Sequence, residues 1–188
     1  MNTTAANLKK KDYIKFRDDI YQVSTVEFYH PGKGRTVVRT FLKGITKDKS
    51  LAQVFTSNDD VEVLTVDAVP VQFLFGDSET LHFMHDQTFE EYEVLRDLVG
   101  SAADFLKEGQ AMYVLMLDDK PVGARPPMSV TLTVTEADAA DRGDTATNAK
   151  KQVTLETGVK VMVPLFIKKG EKIKINPEDG SYSGRENS

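Results

Sequence analysis

Two strand-like runs on either side of a proline and glycine cluster constrain the fold of this chain more than any other feature. Tyr21–Phe28 and Thr36–Leu42 are rich in β-branched and aromatic residues. Pro31 disfavours helix at His30, and the glycines on both sides of Lys33 permit backbone angles closed to other residues. The pattern predicts a β-hairpin with a long loop that presents Lys33 at its tip. From the hairpin alone, an ordinary exposed turn lysine is the commoner interpretation.

Composition limits the kind of protein that this chain can be. It has 188 residues, 40% hydrophobic and 28% charged, as in an ordinary globular protein of one or two domains. It contains no cysteine, which excludes disulfides, thiol nucleophiles and cysteine-based zinc sites. No apolar run approaches the roughly 20 residues that span a bilayer, and the polar N-terminus lacks a signal-peptide core. We therefore expect a cytoplasmic protein with no membrane partner.

The charged residues are distributed unevenly along the chain. Residues 1–64 carry 11 basic and 8 acidic residues, a net charge of +3, whereas residues 65–128 carry 4 and 12, a net charge of −8. Residues 129–188 balance at 9 and 9, within a total of −5. The acidic total argues against a general nucleic-acid coat protein. The basic first third could still face phosphate, which the acidic middle would repel.

Short strand-like runs separated by turn residues continue along the whole chain. In the first third no helical periodicity interrupts them, so they predict a small β-barrel. Pro126-Pro127 marks a linker, and we predict three small, mostly β units in a row. The predicted strands outside the hairpin are Tyr13–Arg17, Leu51–Phe55, Val61–Val66, Val71–Phe75, Thr80–Met84, Ala111–Leu117, Pro121–Val122, Val130–Thr135, Val153–Leu155, Val159–Val163, Phe166–Lys168 and Lys172–Ile175, with a last strand near Tyr182.

One segment in the middle of the chain has a helical pattern. Thr88 and Glu91 stand at the spacing of a capping box, and Gly100 closes the run as a helix stop. A second, shorter helix is predicted at Ala102–Leu106. The residues at helical spacing between cap and stop are Phe89, Tyr92, Leu95, Arg96 and Val99.

Three groups of motifs, in order and covering nearly the whole chain, resemble bacterial elongation factor P. The first is the tip, from Phe28 to Gly34 with Pro-Gly-Lys-Gly. The second is His82-Phe83-Met84 followed by Gln87-Thr88-Phe89-Glu90. The third includes Gly143-Asp144-Thr145-Ala146, Leu155-Glu156-Thr157-Gly158, Val163-Pro164-Leu165-Phe166-Ile167, Gly170-Glu171, Ile173-Lys174-Ile175 and Tyr182 to Arg185.

The resemblance implies a fold and a function. The fold is three consecutive β-barrels in an elongated L shape resembling a tRNA: an SH3-like (KOW-type) domain at 1–65 and OB-type domains at 66–128 and 129–188. The function is that of a monomeric, non-enzymatic translation factor. It binds the 70S ribosome between the peptidyl-tRNA and exit sites and assists peptide-bond formation where consecutive prolines stall synthesis. The implied partner there is P-site peptidyl-tRNA, prolyl or initiator.

The resemblance also implies site residues. Lys33 would reach the acceptor end of the peptidyl-tRNA from a tip loop of His30, Pro31, Gly32, Gly34 and Arg35. Many family members carry a covalent modification on this lysine, added by a modifying enzyme, and no other cofactor is implied. Gly143, Asp144 and Thr145 would lie near exit-site mRNA. Tyr182 and Arg185 would lie near tRNA and the small subunit.

Other site chemistries do not fit the spacing of the residues. Gly34 stands where a P-loop needs serine or threonine. His82 and His85 would face opposite sides of a strand, without a third metal ligand nearby. The acidic residues Glu90, Glu91 and Glu93 fall in the first turn of the predicted helix, where carboxylates favour the dipole. We therefore predict neither a metal site nor a catalytic residue.

Two alternatives remain. One is the elongation-factor-P-like paralogue, which differs at the tip, and Pro31–Gly34 favours the main family. The other is a single-stranded nucleic-acid binder built on OB folds, which would need aromatic stacking platforms and a continuous basic groove. The absence of tryptophan and the acidic middle third argue against that second hypothesis.

Overall fold

Three antiparallel sheets follow one another along the chain in a computed structural model that describes residues 1–32, 34–46, 49–137 and 149–186. This confirms the prediction of a mostly β fold with barrel-like sheets. The unit boundaries at 65/66 and 128/129 and the L shape stay predictions. No helix in these ranges is both long and apolar enough to cross a membrane.

The first sheet has six strands in the order β1-β6-β2-β3-β4-β5. Alternate residues point inward and form a core that includes the fully buried Ile14, Val23, Val38 and Leu42. A 3₁₀ helix, Ala5–Asn7, follows the first strand. The strands are β1 Asn2–Thr4, β2 Tyr13–Phe16, β3 Asp19–Tyr29, β4 Val37–Gly44, β5 Ser50–Thr56 and β6 Asp60–Leu64.

The second sheet has five strands in the order β11-β10-β7-β8-β9, and its outer strands β9 and β11 contact each other. Its core includes Phe83, Leu81 and Val71, all fully buried. A single helical turn α1, Arg96–Val99, and a 3₁₀ helix, Gly100–Phe105, follow β9. The strands are β7 Asp67–Gly76, β8 Thr80–His85, β9 Glu91–Leu95, β10 Ala111–Leu117 and β11 Lys120–Arg125.

The third sheet has the order β14-β13-β12-β15-β16 and encloses a core of aliphatic residues such as Leu132, Leu155 and Ile173. Its edge strands β14 and β16 also come into contact. The strands are β12 Val130–Ala137, β13 Lys150–Leu155, β14 Lys160–Pro164, β15 Lys172–Ile175 and β16 Tyr182–Arg185.

The prediction of a helix after Thr88 is wrong for most of the segment. Glu91–Leu95 forms β9, which pairs with β8 in antiparallel register, and helix is confined to Arg96–Val99. The segment also alternates in burial, with Val94 at 3% exposure between more exposed neighbours, which is the period of a strand. Phe89 has φ of +59°, which is incompatible with a helix start. Hydrogen bonding to β8 therefore overrode the local helical pattern.

Two smaller predictions have different outcomes. Phe166–Lys168 is not a strand. It lies in the turn between β14 and β15, where Ile167 is fully buried in the third core. The short helix predicted at Ala102–Leu106 is confirmed as the 3₁₀ helix Gly100–Phe105.

The acidic residues Glu90, Glu91 and Glu93 do not lie in a helix, because the segment that contains them precedes or forms β9. No helix dipole therefore favours their charges. Glu90 instead accepts a hydrogen bond from the Tyr92 hydroxyl at 3.0 Å.

Two residues that belong to one unit by sequence pack against the core of the next unit or within it. Ile45, just after β4, packs against the core of the second sheet. Phe105, at the end of the second 3₁₀ helix, is 6% exposed and packs in the core of the third sheet. A β-carbon on Gly180 would lie 3.1 Å from Cζ of Phe105, so this ring presses closely against the third unit. The units are therefore joined by packing as well as by the chain.

Candidate nucleic-acid interface

The longest hairpin in the described part of the chain carries the predicted tip. Strands β3 and β4 pair from Tyr21 opposite Gly44 to Tyr29 opposite Val37. The loop between them is narrowed at its base by a 2.8 Å hydrogen bond between His30 Nδ1 and Thr36 Oγ1. The hairpin therefore brings the tip loop to one end of the first sheet, as predicted.

Within the tip loop, the structure describes His30, Pro31, Gly32, Gly34 and Arg35, whereas Lys33 lies outside the described residues. Gly34 has φ of +120°, a conformation that side chains rarely adopt, so a glycine is required there. His30 and Gly32 are exposed, as are Gly34 and Arg35. The loop therefore offers an accessible backbone with little side-chain bulk.

The opposite side of the loop base is ordered by Asp59. Side-chain and backbone hydrogen bonds from Thr56 hold the pKa of Asp59 below its usual value, and the charge of Arg35 acts in the same direction. The backbone N–H of Ser57 donates to the Thr36 carbonyl at 2.9 Å. These contacts tie the end of β5 to the loop that contains Arg35.

An exposed aromatic face with one arginine lies beside the tip. The sequence pointed to Arg39 as a basic residue that can face phosphate, but it did not reveal the exposed apolar side chains around it. Tyr29 is 54% exposed, Phe41 40% and Val54 56%, and the guanidinium carbon of Arg39 lies 5.5 Å from the centre of the Tyr29 ring. Arg39 pairs directly with Val54, so these side chains share one face of β3, β4 and β5. We call Tyr29, Arg39, Phe41 and Val54 the tip-side face. Ring faces and a guanidinium are groups on which nucleotide bases can stack.

The second predicted contact region lies on the edge strand of the third sheet. Arg185 places its guanidinium carbon 4.8 Å from the centre of the Phe166 ring, and its Nη1 lies 3.5 Å from Oε1 of Glu171. Tyr182 is half-buried and packs against the third core. Arg185 is thus held over a ring and beside a carboxylate while it stays exposed, whereas Tyr182 contributes part of its ring to the third core.

Those predicted site residues that the structure describes belong to two different sheets. The tip loop belongs to the first sheet, and Tyr182 and Arg185 belong to the third. Gly143, Asp144 and Thr145 lie outside the described residues. The described candidates therefore form two separate contact regions, which suits a long partner better than a small ligand.

The two histidines of the middle unit have structural partners. His82 stacks on Phe75 with ring centres 4.3 Å apart, and its Nδ1 lies 3.6 Å from Oε1 of Glu93. His85 Nδ1 accepts hydrogen bonds from the backbone N–H groups of Gln87 at 3.0 Å and Thr88 at 3.1 Å. Across the residues that the structure describes, no group of three or more histidine or acidic side chains could hold a metal ion.

The structure defines a class of protein built from three consecutive small β units, the first of which carries a long hairpin with an exposed loop. Each part matches a described domain of one family: residues 4–61 match "Elongation factor P (EF-P) KOW-like domain", 66–124 match "Elongation factor P (EF-P) OB domain", and 130–185 match "Elongation factor P, C-terminal". The chain belongs to the elongation factor P family.

Curated relatives extend this match over nearly the full length. Elongation factor P of Roseiflexus sp. (strain RS-1) is 40% identical over 185 residues, which cover 97% of this chain and 98% of the relative. Elongation factor P of Flavobacterium johnsoniae is 43% identical over 176 residues, 92% of each chain. These relatives are translation factors by name, as the sequence resemblance predicted.

Among solved structures, eukaryotic translation initiation factor 5A from Methanococcus jannaschii is similar to this chain. It is 20% identical and has a TM-score of 0.42, and the match covers 67% of this chain and 94% of that one. A similarity of this size supports no argument about function.

Proposed function

We propose that this protein binds the ribosome between the peptidyl-tRNA and exit sites and stimulates peptide-bond formation where consecutive prolines stall synthesis. Membership of the elongation factor P family supports a general role in translation elongation. The observation that carries the finer proposal is the β3–β4 hairpin, which places an exposed, glycine-rich loop around Lys33 at one end of the first sheet.

In this proposal, Lys33 contacts the acceptor end of a prolyl or initiator tRNA in the peptidyl site. A lysine ammonium is a compact charge with rotatable donors, suited to phosphate and sugar oxygens. A covalent modification of Lys33 by a dedicated enzyme would lengthen this probe. His30 to Gly32, together with Gly34 and Arg35, support it against the RNA, and the tip-side face gives the neighbouring nucleotides a stacking surface.

The other candidate regions hold the factor in place. We assign Arg185, with Tyr182, to tRNA or small-subunit contact, since a stacked guanidinium can bind phosphate in a planar fork. Gly143, Asp144 and Thr145 are assigned to exit-site mRNA. The protein acts as a monomer in the cytoplasm and supplies no catalytic group. Holding the tRNA end in a reactive geometry can by itself remove several kcal/mol from a barrier.

The test is reconstituted translation of a reporter that contains a run of prolines. The reactions contain no factor, the wild-type protein, Lys33→Ala or Lys15→Ala, a control that removes an exposed lysine of the same sheet away from the tip. We expect rescue by the wild type and Lys15→Ala, and none by Lys33→Ala with an unchanged melting temperature. Equal rescue by Lys33→Ala would overturn the role of Lys33. Failure of wild-type protein with the native modification, checked by intact mass, would overturn the function.

A further inference from the structure

We propose that Tyr13, Gln22 and Gly123 form an interlock that sets the orientation of the first barrel on the second and thereby positions the tip. This inference rests on the proposed function, because an orientation matters only if the tip must meet a fixed target. The three residues contact no substrate in the proposal and act as positioning residues. We call the contact the Tyr13–Gly123 interlock.

Tyr13 and Gln22 lie on the outside of the first barrel. In β2, Tyr13 precedes Ile14, which is fully buried in the barrel core, and adjacent strand residues point to opposite faces. In β3, Gln22 lies between the core residues Tyr21 and Val23, so its side chain also points outward. Tyr13 is nevertheless only 3% exposed and Gln22 only 6%. Something other than their own barrel must cover them.

The covering element is β11 of the second barrel. A β-carbon on Gly123 would lie 1.9 Å from the hydroxyl oxygen of Tyr13, 3.1 Å from its Cζ and 3.7 Å from Gln22 Nε2. Gly123 is not among the glycines with positive φ, so its backbone conformation is open to alanine. Glycine is therefore needed at this position because Tyr13 approaches so closely, above all through its hydroxyl oxygen.

The polar groups in this contact are matched to each other. Tyr13 and Gln22 are directly opposite one another in the β2–β3 pairing, and Gln22 Nε2 donates to the Tyr13 hydroxyl at 2.9 Å. A buried amide and a buried hydroxyl without this bond would each be costly. Gln22 thus holds the hydroxyl at one position, and the missing side chain of Gly123 leaves space for it.

A second contact limits rotation about the interlock. Lys43 Nζ donates to the backbone carbonyl of Asp97 at 2.8 Å and lies 3.7 Å from its carboxylate. Ile45, two residues further along the chain, packs on the second core. The interlock, the Lys43 contact and the Ile45 contact are three separate points of attachment, which together fix an orientation, whereas a single point would leave a pivot.

The geometry connects the interlock to the tip through one strand. Gln22 and Tyr29 both belong to β3, seven residues apart, a span of about 23 Å at 3.3 Å per residue. A tilt at Gln22 is therefore carried along β3 to the loop that follows Tyr29. Misplacement of a positioned group by about 1 Å can reduce a rate by about 100-fold.

The test measures the orientation directly. The chain has no cysteine, so a pair of spin labels can be introduced at two exposed positions, Asn58→Cys in the first unit and Glu108→Cys in the second. We expect Gly123→Ala to shift or broaden the distribution of distances between the two labels. The circular dichroism spectrum of the whole protein should stay unchanged, because the strands of each barrel remain folded. Adding Tyr13→Phe removes the overlapping hydroxyl and is expected to restore the wild-type distance.

The outcomes separate this proposal from the proposed function. An unchanged label distance in folded Gly123→Ala overturns the interlock whatever the translation assay shows, and so does a changed distance that Tyr13→Phe fails to restore. If Gly123→Ala does not fold, the double variant decides: a folded double variant with the wild-type distance supports the interlock, and failure to fold overturns it. In the proline reporter assay we expect at least a tenfold loss of stimulation for Gly123→Ala and recovery in the double variant.

Discussion

The guanidinium of Arg39 lies over the ring of Tyr29, with 5.5 Å between its central carbon and the ring centre. This pair is on the outer face of the hairpin beside the tip loop, with Tyr29 at the end of β3 and Arg39 near the start of β4. The ring restricts the arginine while leaving its N–H groups available to a phosphate. A restricted cation next to the loop is what the proposed RNA contact requires.

Removing Arg39 tests that contact. We expect Arg39→Ala to weaken binding to ribosomes carrying peptidyl-tRNA and to reduce the salt dependence of binding by about one phosphate contact. Arg17→Ala is the matched control, since Arg17 lies over Phe16 at 4.9 Å in the turn before β3, at the other end of the hairpin. Ribosome affinity measured across a series of salt concentrations should distinguish Arg39→Ala from Arg17→Ala. Equal losses in both variants would argue against a specific role for Arg39.

Arg185 provides a test in the third unit. Arg185→Ala should lower ribosome affinity several-fold, because it removes a cation that the proposal places against phosphate. Arg185→Lys should restore this only in part, since an ammonium keeps the charge but not the planar stacking on Phe166. The measurement is co-sedimentation with ribosomes, with exposed Lys172→Ala on the neighbouring strand as control. Full restoration of ribosome affinity in Arg185→Lys would show that the positive charge alone is needed for binding.

Because Tyr13 is buried, we predict that the protein loses a specific amount of stability at high pH. Burial raises the pKa of Tyr13 to about 12, and the hydrogen bond from Gln22 acts in the opposite direction. An unfolded tyrosine titrates near pH 10, so the stabilisation is complete below about pH 10 and is lost between about pH 10 and 12. The free energy of unfolding should fall by about 3 kcal/mol from this group, since two pKa units at about 1.4 kcal/mol each separate the folded and unfolded states.

Denaturant unfolding between about pH 9 and 12 checks this, with Tyr13→Phe as the reference because all other titrating groups are shared. The difference in unfolding free energy between the two proteins should shrink as the pH rises. Parallel curves would contradict the raised pKa of Tyr13.

Phe105 should stabilise the third barrel although it precedes the predicted linker. It is 6% exposed and lies in the third core, so Phe105→Ala should cost about 3–5 kcal/mol. Phe75→Ala, a 58% exposed phenylalanine of the second sheet, should change stability by less than about 1 kcal/mol. Hydrogen exchange should show the loss of protection in β12 to β16. Loss of protection confined to the second sheet would contradict the placement of Phe105 in the third core.

Local patterns predicted the hairpin and most strands because period-2 alternation and turn residues act within a few positions. They failed at Glu91–Leu95, where pairing with β8 overrode a helical spacing. They also missed Asn2–Thr4, whose partner Asp60–Leu64 is distant in sequence. Long-range pairing is not visible in a local window.

The site was predicted in a similarly uneven way. The tip loop followed from a motif and a turn, whereas the exposure of Phe41 and Val54 depends on the register of β3, β4 and β5. Gly123 gave no signal, because the close approach that requires it comes from another barrel. The roles of Lys33 and of Gly143 to Thr145 stay predictions.

Phe105 also has a consequence for how the chain folds as it is made. Synthesis proceeds from the N-terminus, so this apolar ring leaves the ribosome before any strand of the barrel whose core it joins. Until β12 to β16 follow, it has no core to enter. The second barrel therefore emerges with an exposed ring, and only completion of the last barrel removes that site of aggregation.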